Sequence, residues 1–150
     1  MRAVIQRVSS VQVTINGNVK GKIGTGFLIL AGFESEDTSE DLDWMARKIL
    51  SLRVFSDEEG KMNLDIRQMD GRCLVISQFT LHAKTKKGTR PSFIKAAPPE
   101  QAIPLYEQFV SLLEEIGEQK VETGEFGADM KVALVNDGPV TIAIDTKNKE

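Results

Sequence analysis

At 150 residues and a formal net charge of −3, the chain has the size of one domain, 1–150, and can bury a substantial core. The acidic balance argues against a general polyanion binder, because non-specific nucleic-acid affinity is built from many Lys and Arg contacts to phosphate; no DNA partner is expected. No apolar run reaches the ~18 residues of a membrane span, and Met1 to Arg7 lacks the apolar middle of a signal peptide, so no membrane partner and a cytoplasmic location are expected.

In chain order, Val11, Val13 and Ile15 alternate with Gln12 and Thr14 before Asn16-Gly17, a pair suited to the positive φ angles of a two-residue turn; this predicts an opening β-hairpin. Phe27 to Ala31 is continuously apolar, the pattern of a strand covered on both faces. Asp37 or Thr38 can cap a helix whose inner stripe is Leu42, Met45, Ala46 and Ile49. Trp44 falls off that stripe, at the helix edge or a subunit contact. A strand is expected at Arg53-Val54-Phe55, an acidic turn at Asp57 to Gly60, and a central strand from Arg72 to Leu81. The lone cysteine, Cys73, excludes an intrachain disulfide, and within Cys73-Leu74-Val75-Ile76 it reads as a buried small hydrophobe.

A second helix is predicted after Pro98-Pro99, with Leu105, Tyr106, Phe109, Leu112, Leu113 and Ile116 on one face and Gly117 as its stop; Pro104 is expected to delay its first turn or kink it. Met130 to Val135 and Val140 to Ile144 read as two strands joined by Asn136-Asp137-Gly138-Pro139. The fold class is therefore α/β: a strand-rich single domain, a mixed sheet or partial barrel with two main helices packed on it.

Chemistry is constrained by what the chain lacks. One histidine and one cysteine, nine residues apart, cannot make a zinc site, and Asp57-Glu58-Glu59 lacks the spacing of a calcium loop, so no metal is expected. Gly21, Gly24 and Gly26 match no phosphate-binding loop, and no cofactor is implied. Thr80 and His82 would share a face if the central strand continued, the arrangement of a nucleophile and its base. However, no carboxylate near in sequence is placed to orient the ring, and two residues on one strand face seldom reach hydrogen-bond distance.

Three runs carry a resemblance: Ser77-Gln78-Phe79-Thr80-Leu81, Gly88-Thr89-Arg90-Pro91-Ser92-Phe93 and Asn136-Asp137-Gly138-Pro139-Val140-Thr141. From Met1 to about Asp145 the chain resembles the D-aminoacyl-tRNA deacylases, homodimeric enzymes that hydrolyse D-amino acids mischarged onto tRNA. The resemblance implies that Ser77, Gln78, Phe79 and Thr80 line the catalytic pocket. Main-chain amides near Phe79 and Thr80 would receive the oxyanion, while the substrate's own ribose hydroxyl assists. It further implies a cis Gly138-Pro139 bond that reaches into the partner subunit's site and rejects L-aminoacyl groups by collision, a filter that glycine would escape. Arg7 and Asn136 would support this loop, and Phe126 and Met130 would line the pocket of the terminal adenosine. Family members commonly carry Tyr where His82 stands, which leaves no base role for it to inherit.

From His82 to Pro99 there are five basic residues, Lys84, Lys86, Lys87, Arg90 and Lys95, and no acid, a local surface able to meet the phosphates of a tRNA 3′ end. Residues alone leave other readings open. The Ser77 run also reads as a core strand end, Gly138-Pro139 as a trans turn, Arg7 as a surface charge and Phe126 as a core aromatic. Functionally, a non-catalytic tRNA 3′-end binding module and an esterase using Thr80 as nucleophile remain alternatives.

Overall fold

The computed structural model describes residues 1–150. Strands β1 (Arg2–Ile15), β2 (Asn18–Ile23) and β3 (Gly26–Gly32) are followed by helix α1 (Ser39–Ser51) and a small ribbon of β4 (Phe55–Ser56) and β5 (Met62–Leu64). Strand β6 (Arg72–Ser77) leads through a 3₁₀ turn at Phe79–His82 to helix α2 (Pro99–Gly117), and β7 (Glu122–Thr123) and β8 (Lys131–Asp145) complete the chain.

The main sheet is mixed, ordered β2-β1-β3-β6-β7, with β8 on the other side of β1. The expected hairpin is present, and Asn16 and Gly17 both take positive φ, 50° and 80°. β3 runs antiparallel to β1 and parallel to β6, and its alternate residues enter two cores, Phe27, Ile29 and Ala31 on one face and Leu28 on the other, so both faces are covered, as its unbroken apolar sequence requires. The sheet curls until β2 meets β7: a Cβ on Gly21 would stand 2.8 Å from the Thr123 carbonyl. This gives the partial barrel. Val8, Val11, Val13, Ile23, Leu28, Leu74 and Ile76 fill its interior. The larger core lies between the other sheet face and the helices. There Leu42, Met45, Ala46 and Ile49 of α1 are fully buried, and Phe33 meets Tyr106 and Phe109 of α2 edge-on. Cys73 is buried in this core, which pushes its thiol up to about 12.

The helix ends follow capping chemistry. Thr38 is the cap of α1: its Oγ1 accepts from the Asp41 amide while Asp41 accepts from the Thr38 amide. Asp37 is instead buried against the Met1 ammonium, and its other oxygen accepts from the Glu34 amide at 2.8 Å. α2 starts with Pro99 in its first turn and stays helical through Pro104. Gly117 is its last helical residue. The left-handed residue that ends it is Glu118, at φ 52°, because Ile116 is still packed on the core and the turn is completed before the chain reverses.

Three boundaries differ from expectation. The strand expected at Arg53–Phe55 begins only at Phe55, since the Val54 carbonyl accepts from the Arg7 guanidinium and is not available to a strand partner. The strand expected to reach Leu81 stops at Ser77; its last rung to β3 is the Gln78 amide donating to the Ala31 carbonyl at 2.7 Å, after which the chain coils. The two strands expected at Met130–Val135 and Val140–Ile144 are one strand, β8, because both halves pair antiparallel with the same long β1.

Candidate active site

The bulge in β8 follows from its register. Thr141 pairs with Gln6 and Asn136 with Val8, so the single residue Arg7 faces the four residues Asp137, Gly138, Pro139 and Val140, which are pushed out of the sheet. Asn136 closes the neck: its Nδ2 donates to Thr141 Oγ1 at 3.0 Å and its Oδ1 accepts from the Val140 amide at 3.2 Å. Arg7 is 9% exposed; its Nε donates to the Asp137 carbonyl at 2.9 Å and its Nη1 to the Val54 carbonyl. A surface charge would not be so enclosed. The Gly138–Pro139 bond is cis, Gly138 has φ +129°, and both residues are exposed at the tip.

The second cluster forms where β6 ends. Leu74, Val75 and Ile76 hold the strand in the sheet, and Tyr106 Oη donates to the Val75 carbonyl at 2.9 Å, tying α2 to the strand end. Burial pushes the Tyr106 phenol up to about 12. In the 3₁₀ turn, the Leu81 amide donates to the Gln78 carbonyl and the Ala83 amide to the Thr80 carbonyl. The amides of Phe79 and Thr80, at the start of the turn, have no acceptor within it. Gln78 Nε2 donates to Thr80 Oγ1 at 2.6 Å, fixing that hydroxyl beside them. Phe79 is 55% exposed and lies edge-on to Phe93 at 5.2 Å.

A cleft of about 340 Å³ separates Ser77-Gln78-Phe79 from Phe126 to Met130. Phe126 lines the cleft and also meets Tyr106, with centroids 6.1 Å apart and ring planes inclined at 60°. Phe126 thus packs against the core and also lines this cleft. Met130 packs over Gly124, where a Cβ would lie 2.5 Å from its sulfur. The cleft and the Gly138-Pro139 loop do not share a cavity in one chain.

His82 is no partner for Thr80. Its ring is 1% exposed, and neither nitrogen has a hydrogen-bond partner. The nearest charged group is Glu34, with Oε1 3.3 Å from Nδ1. This carboxylate is 48 positions away in sequence, so no local pattern announced it. The Arg7–Val54 contact and a bond from Arg2 to the Leu81 carbonyl escape sequence reasoning for the same reason. No cluster of three His, Cys, Asp or Glu side chains is assembled to hold a metal ion. No helix is long and apolar enough to cross a membrane. Trp44 sits at the edge of α1 with Lys48 and Lys149 over its ring, beside a separate cavity of about 530 Å³.

Unengaged amides at a strand end, next to a hydroxyl with no base behind it, suit an acyl-transfer hydrolase that works by steadying negative charge. Relatives by sequence carry names of that class. A family profile described as D-Tyr-tRNA(Tyr) deacylase matches residues 4–145, and the chain belongs to this family of tRNA ester hydrolases. Relatives named D-aminoacyl-tRNA deacylase include those of Bacteroides fragilis (strain YCH46), 62% identical over 150 residues and all of both chains, and Akkermansia muciniphila, 59% identical over the same span. Among solved structures, one titled c-Myc DNA Unwinding Element Binding Protein is 42% identical with a TM-score of 0.91, covering 97% of this chain and 98% of its own. A probable eukaryotic D-amino acid tRNA deacylase, 17% identical, shares the fold with a TM-score of 0.83 over 95% of this chain and 97% of its own.

Proposed function

We propose that the chain hydrolyses the ester of D-aminoacyl-tRNA with main-chain groups as its principal catalytic elements. The observation that carries this reading is the pair of unengaged amides, Phe79 and Thr80, at the edge of a cleft walled by Phe126. The terminal adenosine occupies that cleft, between Phe126 and the Ser77-Gln78 strand end, with Met130 at its border. The ester carbonyl then lies at the turn. As water attacks, the two amides receive the developing oxyanion, a contribution of about 3 kcal/mol per donor. Thr80, held by Gln78, positions the substrate, and the ribose 2′-hydroxyl supplies the polar group nearest the reacting carbon.

Selectivity belongs to the Gly138-Pro139 loop of a second subunit. The loop is exposed and outside its own chain's cleft, and β8 leaves one edge unpaired, with Val135 56% exposed; these features favour a homodimer whose sites are completed across a two-fold axis. Rigid backbone near the substrate's α-carbon refuses an L side chain by collision, whereas glycine passes, so glycyl-tRNA is also cleaved. The exposed cations Lys84, Lys86, Lys87, Arg90 and Lys95, with Phe79 and Phe93 beside them, meet the phosphates of the tRNA end. A substrate of translation places the enzyme in the cytoplasm.

The test is deacylation of D- and L-tyrosyl-tRNA by wild type, Thr80→Ala and His82→Ala, with sedimentation to read the oligomeric state. Rapid D-selective turnover that persists in both variants is the expected result. Abolition in both would restore a Thr80 nucleophile with His82 as its base, and binding without turnover in wild type would leave only a tRNA-end binding module.

A further inference from the structure

The carbonyl of Leu81, on the 3₁₀ turn that bears the Phe79 and Thr80 amides, accepts from no backbone amide. Two carbonyls just ahead of it fare differently: the Gln78 carbonyl is taken by the Leu81 amide and the Thr80 carbonyl by the Ala83 amide. The donor that reaches Leu81 is Arg2 Nη1, at 3.0 Å. Arg2 is itself fixed, because it stands directly opposite Asp145 of β8 and Gly32 of β3 in the sheet register, and its Nε donates to Asp145 Oδ2 at 2.9 Å. One planar guanidinium therefore spans two acceptors, a carboxylate on the sheet edge and a carbonyl of the turn, in a geometry that an ammonium does not reproduce.

From this we propose that Arg2, held by Asp145, is a positioning residue for the deacylase reaction: it locks the Phe79–His82 turn to the sheet and so sets the direction of the Phe79 and Thr80 amides. The other ties of the turn do not do this. Gln78 anchors only its start, through the rung to Ala31. His82 packs its ring close to Gly32, where a Cβ would stand 3.1 Å from Cδ2, but offers no hydrogen bond to hold the turn's orientation. Arg2 makes its hydrogen bonds to Asp145 and Leu81 and is not among the residues lining the cleft, so its effect on the reaction passes through the turn. Donors of this kind act only when aimed at the position the oxyanion will occupy, and misplacement of about 1 Å can cost up to 100-fold in rate.

The inference rests on the proposed oxyanion role of these amides, and the experiment separates the two. Amide hydrogen exchange across residues 79–83 and steady-state deacylation of D-tyrosyl-tRNA are measured for wild type, Arg2→Ala, Arg2→Lys and Asp145→Asn. Each variant is first confirmed folded by its thermal transition. Positioning by Arg2 requires faster exchange at Leu81 and Ala83 and a kcat lowered about 10-fold in Arg2→Ala, with KM within about twofold. Arg2→Lys should recover little of the loss, and Asp145→Asn should show a smaller version of it. Unchanged exchange with unchanged kcat would overturn the role of Arg2 and leave the oxyanion reading standing. A loosened turn with unchanged kcat would overturn the oxyanion reading itself, and with it any catalytic consequence of Arg2. A fall in kcat with the turn unchanged would also overturn the inference, since the effect would then travel by another route.

Discussion

Arg7 and Gly138 stand face to face across the bulge of β8: a Cβ on Gly138 would lie 2.8 Å from Arg7 Nη2, and the same guanidinium donates through Nε to the carbonyl of the preceding residue, Asp137. The extruded loop is thus held by a side chain pressed against the one position in it that has no side chain. Gly138 also has φ +129°, where an L residue is strained. Gly138→Ala is expected to destabilise the protein by about 1–3 kcal/mol and to lower discrimination between D- and L-tyrosyl-tRNA, because the loop must move off Arg7. Urea denaturation and the ratio of the two deacylation rates check it; wild-type values for both would show that the loop accommodates the methyl group.

Arg7 satisfies two carbonyls, that of Asp137 in the β8 bulge and that of Val54 just before β4. Arg7→Ala leaves both without this donor and is expected to cost about 2–4 kcal/mol. Arg7→Lys should recover only part of this, since a single ammonium on a flexible stem does not reproduce the planar fork. The comparison of unfolding midpoints for the two variants is the check.

The Met1 ammonium and Asp37 form an ion pair with both side chains at 0% exposure, and Thr146 Oγ1 accepts from the same ammonium at 2.6 Å. Removing one partner of a buried pair strands the other's charge. Asp37→Asn should therefore cost about 3 kcal/mol or more. The loss should be of stability alone, seen as a lowered thermal transition with kcat unchanged at a temperature where the variant stays folded.

Acid stability follows from Asp41. Its partial burial would raise its pKa, but hydrogen bonds from Lys147, Thr38 and Thr146 outweigh this and hold the carboxyl well below the usual carboxylate range. Asp145 is likewise lowered, with burial outweighed by the Lys147 amide and Arg2. A depressed carboxyl contributes stability that is fully present above its unfolded-state pKa of about 4 and is lost as pH falls toward its folded-state value. Urea midpoints should be level from about pH 6 to 8 and fall below about pH 4. In Asp41→Asn the midpoint at pH 7 should be lower and the acid decline shallower; an unchanged acid limb would locate the titrating groups elsewhere.

Phe126 lines the cleft and meets Tyr106 with ring planes inclined at 60°. Phe126→Leu keeps an apolar contact with Tyr106 but removes the stacking surface, and is expected to weaken binding of the tRNA end by about 1–3 kcal/mol, read as a raised KM with kcat within about twofold.

Much of the fold was legible locally. The alternation around Val13, the Asn16-Gly17 turn, the unbroken run at Phe27 to Ala31 and the stripe Leu42, Met45, Ala46, Ile49 each pointed to the element found, because burial period and turn chemistry are properties of neighbouring residues. The errors lie where partner strands decide. Nothing near Leu81 says that β3 ends first and releases the chain into a turn, and nothing near Gly138 says that both flanking segments share β1 as partner.

The site divides in the same way. The runs around Thr80 and Gly138 identified the family, and the types of residue present excluded a zinc or phosphate-loop enzyme before any coordinates. Only the tertiary structure brought Arg7 to the Asp137 and Val54 carbonyls, Arg2 to Leu81 and Glu34 to His82, over separations of 130, 47, 79 and 48 residues. Local sequence dictates torsion preferences and which face is apolar; which distant backbone group a guanidinium will meet depends on strand order and register, and these exist only once the sheet has closed around its core.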